Sequence, residues 1–251
     1  MLIKKIQLKL NKLFCKNYMK KIGIVGWKVG DNSFGVTAPY YNFFSNFGNV
    51  RVLSPNDEFH EDLDLLVLPG GKDVDTSRYL KGHERLHLSV GNPDPFLEYF
   101  DRNMLKQYIE SKTPIFGVCR GLQSINCFFN VRLHQDCLMK HPHYSTESRD
   151  ELVHEVEFKY DDQYYTQEVN SLHHQAIKDL GNDLEIIGKT IYPASKKQNK
   201  TTYGTIEAIR HKDLPIYCVQ FHPEELYDHF SIETIKNLLK IKNNKEVKIL
   251  N

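Results

Sequence analysis

The stretch Gly-Val-Cys-Arg-Gly-Leu-Gln at residues 117–123 most constrains how this chain can fold, because one cysteine separates two different patterns. The apolar run at 114–118 predicts a short buried strand, and apolar residues at helical spacing follow the cysteine. We therefore expect Cys119 at a sharp turn, with its sulfur pushed out of the sheet. Gly117 and Gly121 remove the side chains that would crowd such a turn.

Cys119 admits two interpretations at this point. The N-terminus of the following helix favours a thiolate over a thiol, and a nucleophile needs the thiolate state. A free cysteine is, however, often a small buried residue without a chemical role. The local sequence leaves both interpretations open.

A histidine and a carboxylate follow a second apolar run about a hundred residues downstream. Residues 216–221 predict another buried strand, which leads into His222, Pro223 and Glu224. Pro223 suits the first turn of a helix, so His222 should stand at a strand end, as Cys119 does. Cysteine, base and orienting carboxylate would form a triad. Alternatively, His222 is a turn histidine and Glu224 an ordinary first-turn acid.

A pair of glycines closes a third predicted strand, at residues 63–68. Gly70 and Gly71 would let backbone N–H groups approach a ligand closely. The N–H groups of Gly71 and Arg120 could then form an oxyanion hole for a tetrahedral intermediate. A plain Gly-Gly turn is the alternative.

Five motifs, in this order between about residues 20 and 240, resemble the class I glutamine amidotransferase superfamily and, within it, the peptidase C26 branch of γ-glutamyl hydrolases. The resemblance implies a flavodoxin-like α/β fold with a largely parallel central sheet flanked by helices. The motifs are Leu68-Pro69-Gly70-Gly71, Gly117-Val118-Cys119-Arg120-Gly121-Leu122-Gln123, Ser171-Leu172-His173-His174-Gln175, Glu207-Ala208-Ile209 and Gln220-Phe221-His222-Pro223-Glu224.

The resemblance also implies roles for individual residues. Cys119 would be the nucleophile, His222 the base and Glu224 the carboxylate that orients it. The backbone N–H groups of Gly71 and Arg120 would bind the oxyanion. The expected substrate-binding residues are Gly70, Gln123, Ser171, Leu172, His173 and His174.

The implied reaction is hydrolysis of a γ-glutamyl amide through a γ-glutamyl thioester, which releases glutamate. The chain as a whole also resembles a member of this branch that acts in bacterial capsule phosphoramidate synthesis, which implies a nucleotide-linked substrate with cytidine diphosphoramidate as the leaving group. The alternatives are a γ-glutamyl amine or peptide hydrolase, and a glutaminase subunit that needs a partner. Intact Cys119, His222 and Glu224 argue against a non-enzymatic binding module.

The chain departs from the family pattern at two places, residues 72–76 and 130–132. The first usually holds small residues or proline, and the second usually contains a Gly-Gly pair. Both lie where a leaving group would be contacted, so they bear on substrate identity. Two sets of basic residues, one after Gly71 and one after the helix that follows Cys119, could face a diphosphate, although each could equally be a solvated surface charge. They are Lys72, Arg78, Lys81 and Arg85, and Arg132, Lys140, His141 and His143.

Composition agrees with one enzyme domain, expected at residues 19–242. The chain has 251 residues, 40% of them hydrophobic, and its net charge of +1 argues against a dominant nucleic-acid or membrane role. Five cysteines without paired spacing favour a reducing, cytoplasmic location over a disulfide framework. We expect no cofactor. We also expect no metal, because the spacing of the candidate cysteine and histidine ligands matches no zinc-binding pattern. Those candidates are Cys127, His134, Cys137, His141 and His143.

The two ends differ from the domain. Residues 1–18 are basic and amphipathic, and they predict either a helix at a membrane surface or translation from an upstream start codon before Met19. The polar residues 243–251 predict a tail, with fraying from Lys240 onward. No stretch is long and apolar enough for stable membrane insertion. The sequence leaves the oligomeric state open.

Helices and strands alternate between these ends, which predicts parallel strands joined by helices. Helices are expected at 38–47 and 95–111, and a closing helix contains Ile232, Ile235, Leu238 and Leu239. Further strands are expected at 22–26, 50–53, 152–158, 184–188 and 205–211.

Overall fold

The computed structural model describes residues 19–31, 33–54, 57–82, 84–137, 147–160, 163–192 and 202–249. The N-terminal extension at 1–18 and three of the basic candidates therefore lie outside the described residues. Those three are Lys140, His141 and His143.

The strands of the described part are, in chain order, β1 (Lys21–Val25), β2 (Trp27–Gly30), β3 (Ser33–Gly35), β4 (Asn49–Leu53), β5 (Leu65–Leu68), β6 (Ile115–Val118), β7 (Leu133–His134), β8 (His154–Tyr160), β9 (Gln163–Val169), β10 (Ala176–Ile177), β11 (Leu184–Tyr192), β12 (Thr202–His211) and β13 (Ile216–Val219). The helices are α1 (Ala38–Ser45), α2 (Pro95–Asn103), α3 (Leu105–Glu110), α4 (Arg120–Phe128), α5 (Pro223–Leu226) and α6 (His229–Ile249), with a short 3₁₀ turn at Thr76–Arg78.

One nine-stranded sheet organises the molecule, in the order β4-β1-β5-β6-β13-β12-β11-β8-β9. The first five strands are parallel, and their order follows the flavodoxin-like pattern 2-1-3-4-5. The remaining four strands extend the sheet with antiparallel pairings. The α/β fold class expected from the sequence is therefore confirmed, and the parallel half carries the candidate site.

Helices cover both faces of the parallel half, which explains why β5 and β6 are apolar throughout and buried at every position. Alternate residues of β5 point to opposite faces: Leu66 and Leu68 pack with α2, α3 and α4, whereas Leu65 and Val67 pack with α1 and α6. Because side chains on both faces of β5 are buried by helices, the largely parallel sheet lies between two layers of helices, as expected.

The helix predicted at 95–111 is divided at Met104, whose φ of −114° is well outside the usual helical value and which separates α2 from α3. Phe100 and Leu105 are both buried on either side of this break. In a continuous helix, residues five positions apart point in very different directions. The break allows both side chains to enter the same core cluster.

The structure also differs from the sequence predictions at the ends and edges. Helix α6 continues to Ile249, past Lys240, where fraying was expected. Extension of a helix that is already packed costs little, and Lys and Glu favour it. Strand β9 was not predicted, because most of its side chains are polar and at least partly exposed at the sheet edge. No helix among the described residues combines the length and apolar composition that crossing a membrane requires.

Candidate active site

The candidate site forms where β5, β6 and β13 end side by side. Strand β6 lies between the other two, with Gly117 paired to Leu68 of β5 and Val118 paired to Val219 of β13. The residues that follow these parallel strands therefore emerge at the same edge of the sheet, where ligands bind in such folds.

Gly70, Cys119 and His222 converge at this edge. A Cβ atom placed on Gly70 would lie 2.9 Å from Cε1 of His222 and 3.5 Å from Cβ of Cys119. Glycine at position 70 thus leaves the space that the other two side chains need. The structure brings together the cysteine and histidine that the sequence analysis singled out.

Cys119 occupies a backbone conformation that non-glycine residues rarely adopt, with φ 49° and ψ −103°. Its N–H donates to the carbonyl of Val219 over 2.8 Å, and its own carbonyl accepts from the N–H of Gln123 over 3.2 Å. The predicted sharp turn between strand and helix is confirmed. Gly121 allows α4 to sit directly on β5, since a Cβ there would overlap the carbonyl oxygen of Leu68.

His222 and Glu224 are joined by a hydrogen bond of 2.7 Å between Nδ1 and Oε1, and both side chains are buried. Asn170 fixes the histidine backbone from the other side. Its Oδ1 accepts from the N–H of His222 over 2.9 Å, and its Nδ2 donates to the carbonyl of His222 over 3.3 Å. Sequence reasoning missed Asn170, although it directly precedes the motif that begins at Ser171.

The charges around His222 favour its protonated form. Burial alone would lower its pKa, but the negative charges of Glu224 and Cys119 outweigh burial and raise the pKa of His222 to about 10. The arrangement therefore suits an imidazolium at neutral pH.

Tyr40 of α1 is a further buried polar group at the site that sequence reasoning missed. Its hydroxyl accepts a hydrogen bond of 2.8 Å from the N–H of Gly70. Burial, followed by the charge of Glu224, raises the pKa of Tyr40 well above its usual value. The amide of Gly70 is consequently occupied, which leaves the next amide, that of Gly71, for a ligand.

The two amides expected in the oxyanion hole belong to neighbouring elements. Gly71 is exposed, and its N–H makes no hydrogen bond within the part of the chain that the structure describes. Arg120 is the first residue of α4, where a backbone N–H has no intrahelical acceptor. A Cβ on Gly71 would lie 3.6 Å from Cδ of Arg120, so the two residues are close.

Two buried members of the expected substrate-binding set, Gln123 and His173, contact the same backbone carbonyl. Nε2 of Gln123 donates to the carbonyl of Gln175 over 3.1 Å, and Nδ1 of His173 lies 2.8 Å from the same oxygen. Burial lowers the pKa of His173, despite the nearby charge of Glu207. Ser171 is buried, whereas Leu172 is partly exposed. The segment that begins at Ser171 therefore packs against α4 through the side chain of Gln123.

His174 points to the unusual loop after Gly71. Its Nε2 lies 3.0 Å from Oδ1 of Asp73, and hydrogen bonding to this carboxylate raises the pKa of His174. Oδ2 of Asp73 also accepts from the N–H of Gly91 over 2.8 Å. One carboxylate thus connects three segments around the site.

Several of the basic candidates already have partners. Arg78 pairs with Asp101 over 2.5 Å, Arg132 pairs with Asp179 over 2.5 Å, and Nζ of Lys81 donates to a backbone carbonyl. Lys72 and Arg85 are exposed and form no ion pair with any residue in the described ranges. These two are the better placed to meet an anionic leaving group.

The described part contains three free cysteines besides Cys119. Cys127, Cys137 and Cys218 are buried thiols, and burial raises the pKa of each, to about 12 for Cys127 and Cys137. Within the described ranges, no group of three or more His, Cys, Asp or Glu side chains is arranged to hold a metal ion.

Comparisons with known proteins agree with this geometry. The family profile described as peptidase C26 matches residues 31–224. The glutamine amidotransferase-like protein YvdE of Lactococcus lactis is 32% identical, with 74% of this chain and 78% of YvdE covered. The gamma-glutamyl-CDP-amidate hydrolase of Campylobacter jejuni is 27% identical, with 75% of this chain and 94% of that protein covered. A solved structure of a candidate GMP synthase component from Thermoplasma acidophilum superposes with a TM-score of 0.61 at 20% identity, over 92% of this chain and 98% of that one.

Proposed function

Because the chain belongs to the peptidase C26 family, we propose that it hydrolyses a γ-glutamyl amide through a thioester at Cys119. The family and the amidotransferase-like relatives support the coarser statement, which is that the chain is a C–N amide hydrolase or amidotransferase. The convergence of Cys119 with the His222–Glu224 pair at one sheet edge is the observation that carries the finer proposal.

In the first half of the proposed reaction, the Cys119 thiolate attacks the γ-carbonyl carbon and a C–S bond forms. The carbonyl electrons move to oxygen, where the N–H groups of Gly71 and Arg120 stabilise the negative charge. When the intermediate collapses, the C–N bond breaks and His222 gives its proton to the departing nitrogen. Glu224 keeps the imidazole oriented during this transfer.

In the second half, His222 removes a proton from water, and the resulting hydroxide attacks the thioester. The C–S bond breaks, Cys119 leaves as a thiolate, and glutamate is released. Gln123 and the segment from Ser171 to His174 would hold the glutamyl group, beside the backbone of Gly70.

For the leaving group, we propose cytidine diphosphoramidate, which would place the chain in capsule phosphoramidate synthesis. The support is the relative from Campylobacter jejuni, together with two exposed cations, Lys72 next to Gly71 and Arg85 further along the connection between β5 and α2. A diphosphate could pair with these two cations, which form no ion pair with any described residue.

A second candidate leaving group is an amine or peptide. The observation that favours it is Asp73, whose carboxylate lies on the same loop and reaches His174. A negative group near the leaving-group side would disfavour a diphosphate and favour a cationic amine.

Glutamate release from γ-glutamyl-CDP-amidate, a γ-glutamyl amine, a γ-glutamyl peptide and glutamine tests these proposals. We expect release that is abolished by Cys119→Ala and retained by Cys218→Ala, a matched change of a buried thiol. Preference for the nucleotide substrate supports the first leaving group, and preference for the amine or peptide supports the second. Activity on glutamine that needs an added synthase would indicate a glutaminase subunit, and no Cys119-dependent release would refute the proposal.

A further inference from the structure

Glu98, on the buried face of α2, contacts both segments that carry the proposed oxyanion amides. Its Oε1 accepts a hydrogen bond of 2.6 Å from Nη2 of Arg120 and another of 3.0 Å from the N–H of Asp75. Arg120 begins α4, and Asp75 lies on the loop that follows Gly71. One carboxylate oxygen therefore connects the two segments.

The guanidinium of Arg120 is buried and pairs with two carboxylates of α2, those of Glu98 and Asp101. It is 3% exposed, and its Nη1 forms a second ion pair, of 2.9 Å, with Asp101. Asp101 in turn pairs with Arg78, whose Nη2 donates to the carbonyl of Ser124 over 3.2 Å. These contacts fix the first turn of α4 relative to α2.

Helix α2 also contacts the other amide-bearing residue directly. A Cβ on Gly71 would approach within 2.8 Å of Cδ1 of Leu97, the neighbour of Glu98. The loop after Gly71 thus rests on the same turn of α2 that holds Arg120.

We propose that Glu98 is a positioning residue that fixes the separation of the Gly71 and Arg120 amides. The inference rests on the proposed function, because it requires an oxyanion at this place. A buried arginine that loses one of two carboxylates shifts toward the remaining one, since uncompensated charge is costly away from water. That shift would move the N–H of Arg120 relative to Gly71, and oxyanion donors act only within a narrow range of distances.

The first test is Glu98→Gln, which keeps the size of the side chain and removes its charge. Because the donors are displaced and not deleted, we expect kcat for glutamate release to fall about tenfold to a hundredfold, with KM nearly unchanged. Alkylation of Cys119 by iodoacetamide needs a thiolate but no oxyanion hole, so its rate should stay within about twofold of wild type.

Arg102→Gln is the matched control. Nε of Arg102 lies 3.5 Å from Oε2 of Glu98, and its Nη2 lies 3.0 Å from the Asp75 carboxylate, but its side chain is 45% exposed. An exposed ion pair contributes little, so kcat should stay within about twofold of wild type.

A second pair of variants isolates the backbone hydrogen bond if Glu98→Gln fails to fold. Asp75 has φ −54°, which proline can adopt, so Asp75→Pro and Asp75→Ala both remove the carboxylate but only the first removes the N–H. We expect kcat to be several-fold lower in the proline variant than in the alanine variant.

Three results would overturn the inference. One is wild-type kcat in Glu98→Gln, or, where that variant does not fold, equal kcat in the two Asp75 variants. Another is a rise in KM of Glu98→Gln at constant kcat. The third is an equal loss of kcat and of the alkylation rate, which would indicate a general collapse of the site. Wild-type protein without any Cys119-dependent release would instead refute the proposed function itself, and the inference with it.

Discussion

At the scale of single residues, two features define the candidate site. The backbone of Cys119 has an unfavourable conformation, and the charges near His222 favour the protonated form of its imidazole. The positive φ of Cys119 is stabilised by the hydrogen bonds of its own N–H and carbonyl. The protonated state of His222 is stabilised by Glu224 at 2.7 Å. The backbone conformation of Cys119 sets the direction of its sulfur, and the protonation of His222 predicts how activity depends on pH.

Glu224→Gln should shift the alkaline limit of activity to lower pH. The pKa of His222 is raised to about 10, so the imidazolium persists up to that pH and is lost above it. Without the Glu224 charge this pKa falls, and the proton needed by the departing nitrogen is lost at lower pH. We also expect kcat/KM at neutral pH to fall by about a hundredfold or more.

The pH profile of kcat/KM for glutamate release measures this shift. Glu225→Gln is the control, because Glu225 is the next residue but pairs with the exposed Arg149 at 2.6 Å. An unchanged alkaline limit in Glu224→Gln would show that another group sets the protonation of His222.

The residues that sequence reasoning found all lie in short motifs, and those it missed lie outside them. Cys119, His222 and Glu224 follow apolar strand patterns, which mark strand ends. Tyr40 lies on an aromatic-rich helix that reads as ordinary core, and Asn170 is a single amide without a pattern of its own. Their positions depend on packing between segments far apart in the chain, which periodicity does not encode.

At the scale of secondary-structure elements, the close packing of α4 on β5 sets the position of the Arg120 amide. Gly121 is the contact residue, because a Cβ there would overlap the carbonyl of Leu68. Neither the strand backbone nor the helix can move without displacing the turn at Cys119.

Gly121→Ala should therefore destabilise the fold by about 1–3 kcal/mol, the usual cost of overpacking, and should also reduce glutamate release. The free energy of unfolding in urea provides the measurement. Gly35→Ala, in β3, is the control, since a Cβ there would meet Val29 at 3.7 Å, an ordinary contact. Equal stability of the two variants would mean that α4 can shift freely on the sheet.

Strands and helices whose apolar residues recur at a regular spacing were predictable from the sequence. Strands whose side chains are mostly polar or exposed were not. The strands β1, β5, β6 and β13 lie close to their predicted positions, because nearly all of their residues are buried. Strand β4 also lies close to its predicted position, although only its last residue is fully buried. The hairpin of β2 and β3 and the edge strand β9 were missed, since their side chains are mostly exposed or partly exposed. The break at Met104 was missed because it depends on where Phe100 and Leu105 pack.

At the scale of the whole molecule, a buried carboxylate ties the antiparallel half of the sheet to the candidate site. Glu207 of β12 accepts hydrogen bonds from Thr205 over 2.7 Å and from Thr190 over 3.2 Å. It also faces His154 of β8 at 3.7 Å and His173 at 3.9 Å. The Glu-Ala-Ile motif noted in the sequence therefore has a structural position beneath the segment that begins at Ser171.

Glu207 should make the stability of the protein depend on acid pH. Burial opposes its ionisation, but the facing His154 and the other partners lower the pKa of Glu207 from 4.5 to about 2. A lowered pKa contributes stability that is fully present above pH 4.5 and is lost as the pH falls toward 2. The contribution is about 3 kcal/mol.

Urea unfolding of wild type and Glu207→Gln at several pH values measures this contribution. The stability difference between them should shrink as the pH falls from 4.5 toward 2. Glu185→Gln is the control, because Glu185 pairs with Arg210 on the surface and exposed pairs contribute little. A pH-independent difference would show that Glu207 acts through packing alone.

The strand order has a consequence for the time at which the protein becomes reactive during its synthesis. Strand β6, which carries Cys119, is translated long before β13, although β13 is its neighbour in the sheet. The thiol on a growing chain therefore lacks its imidazole and the Val219 carbonyl that helps to hold its turn. In the proposed reaction, the catalytic group is therefore complete only after β13 and His222 have left the ribosome, so chains that end before β13 should release no glutamate.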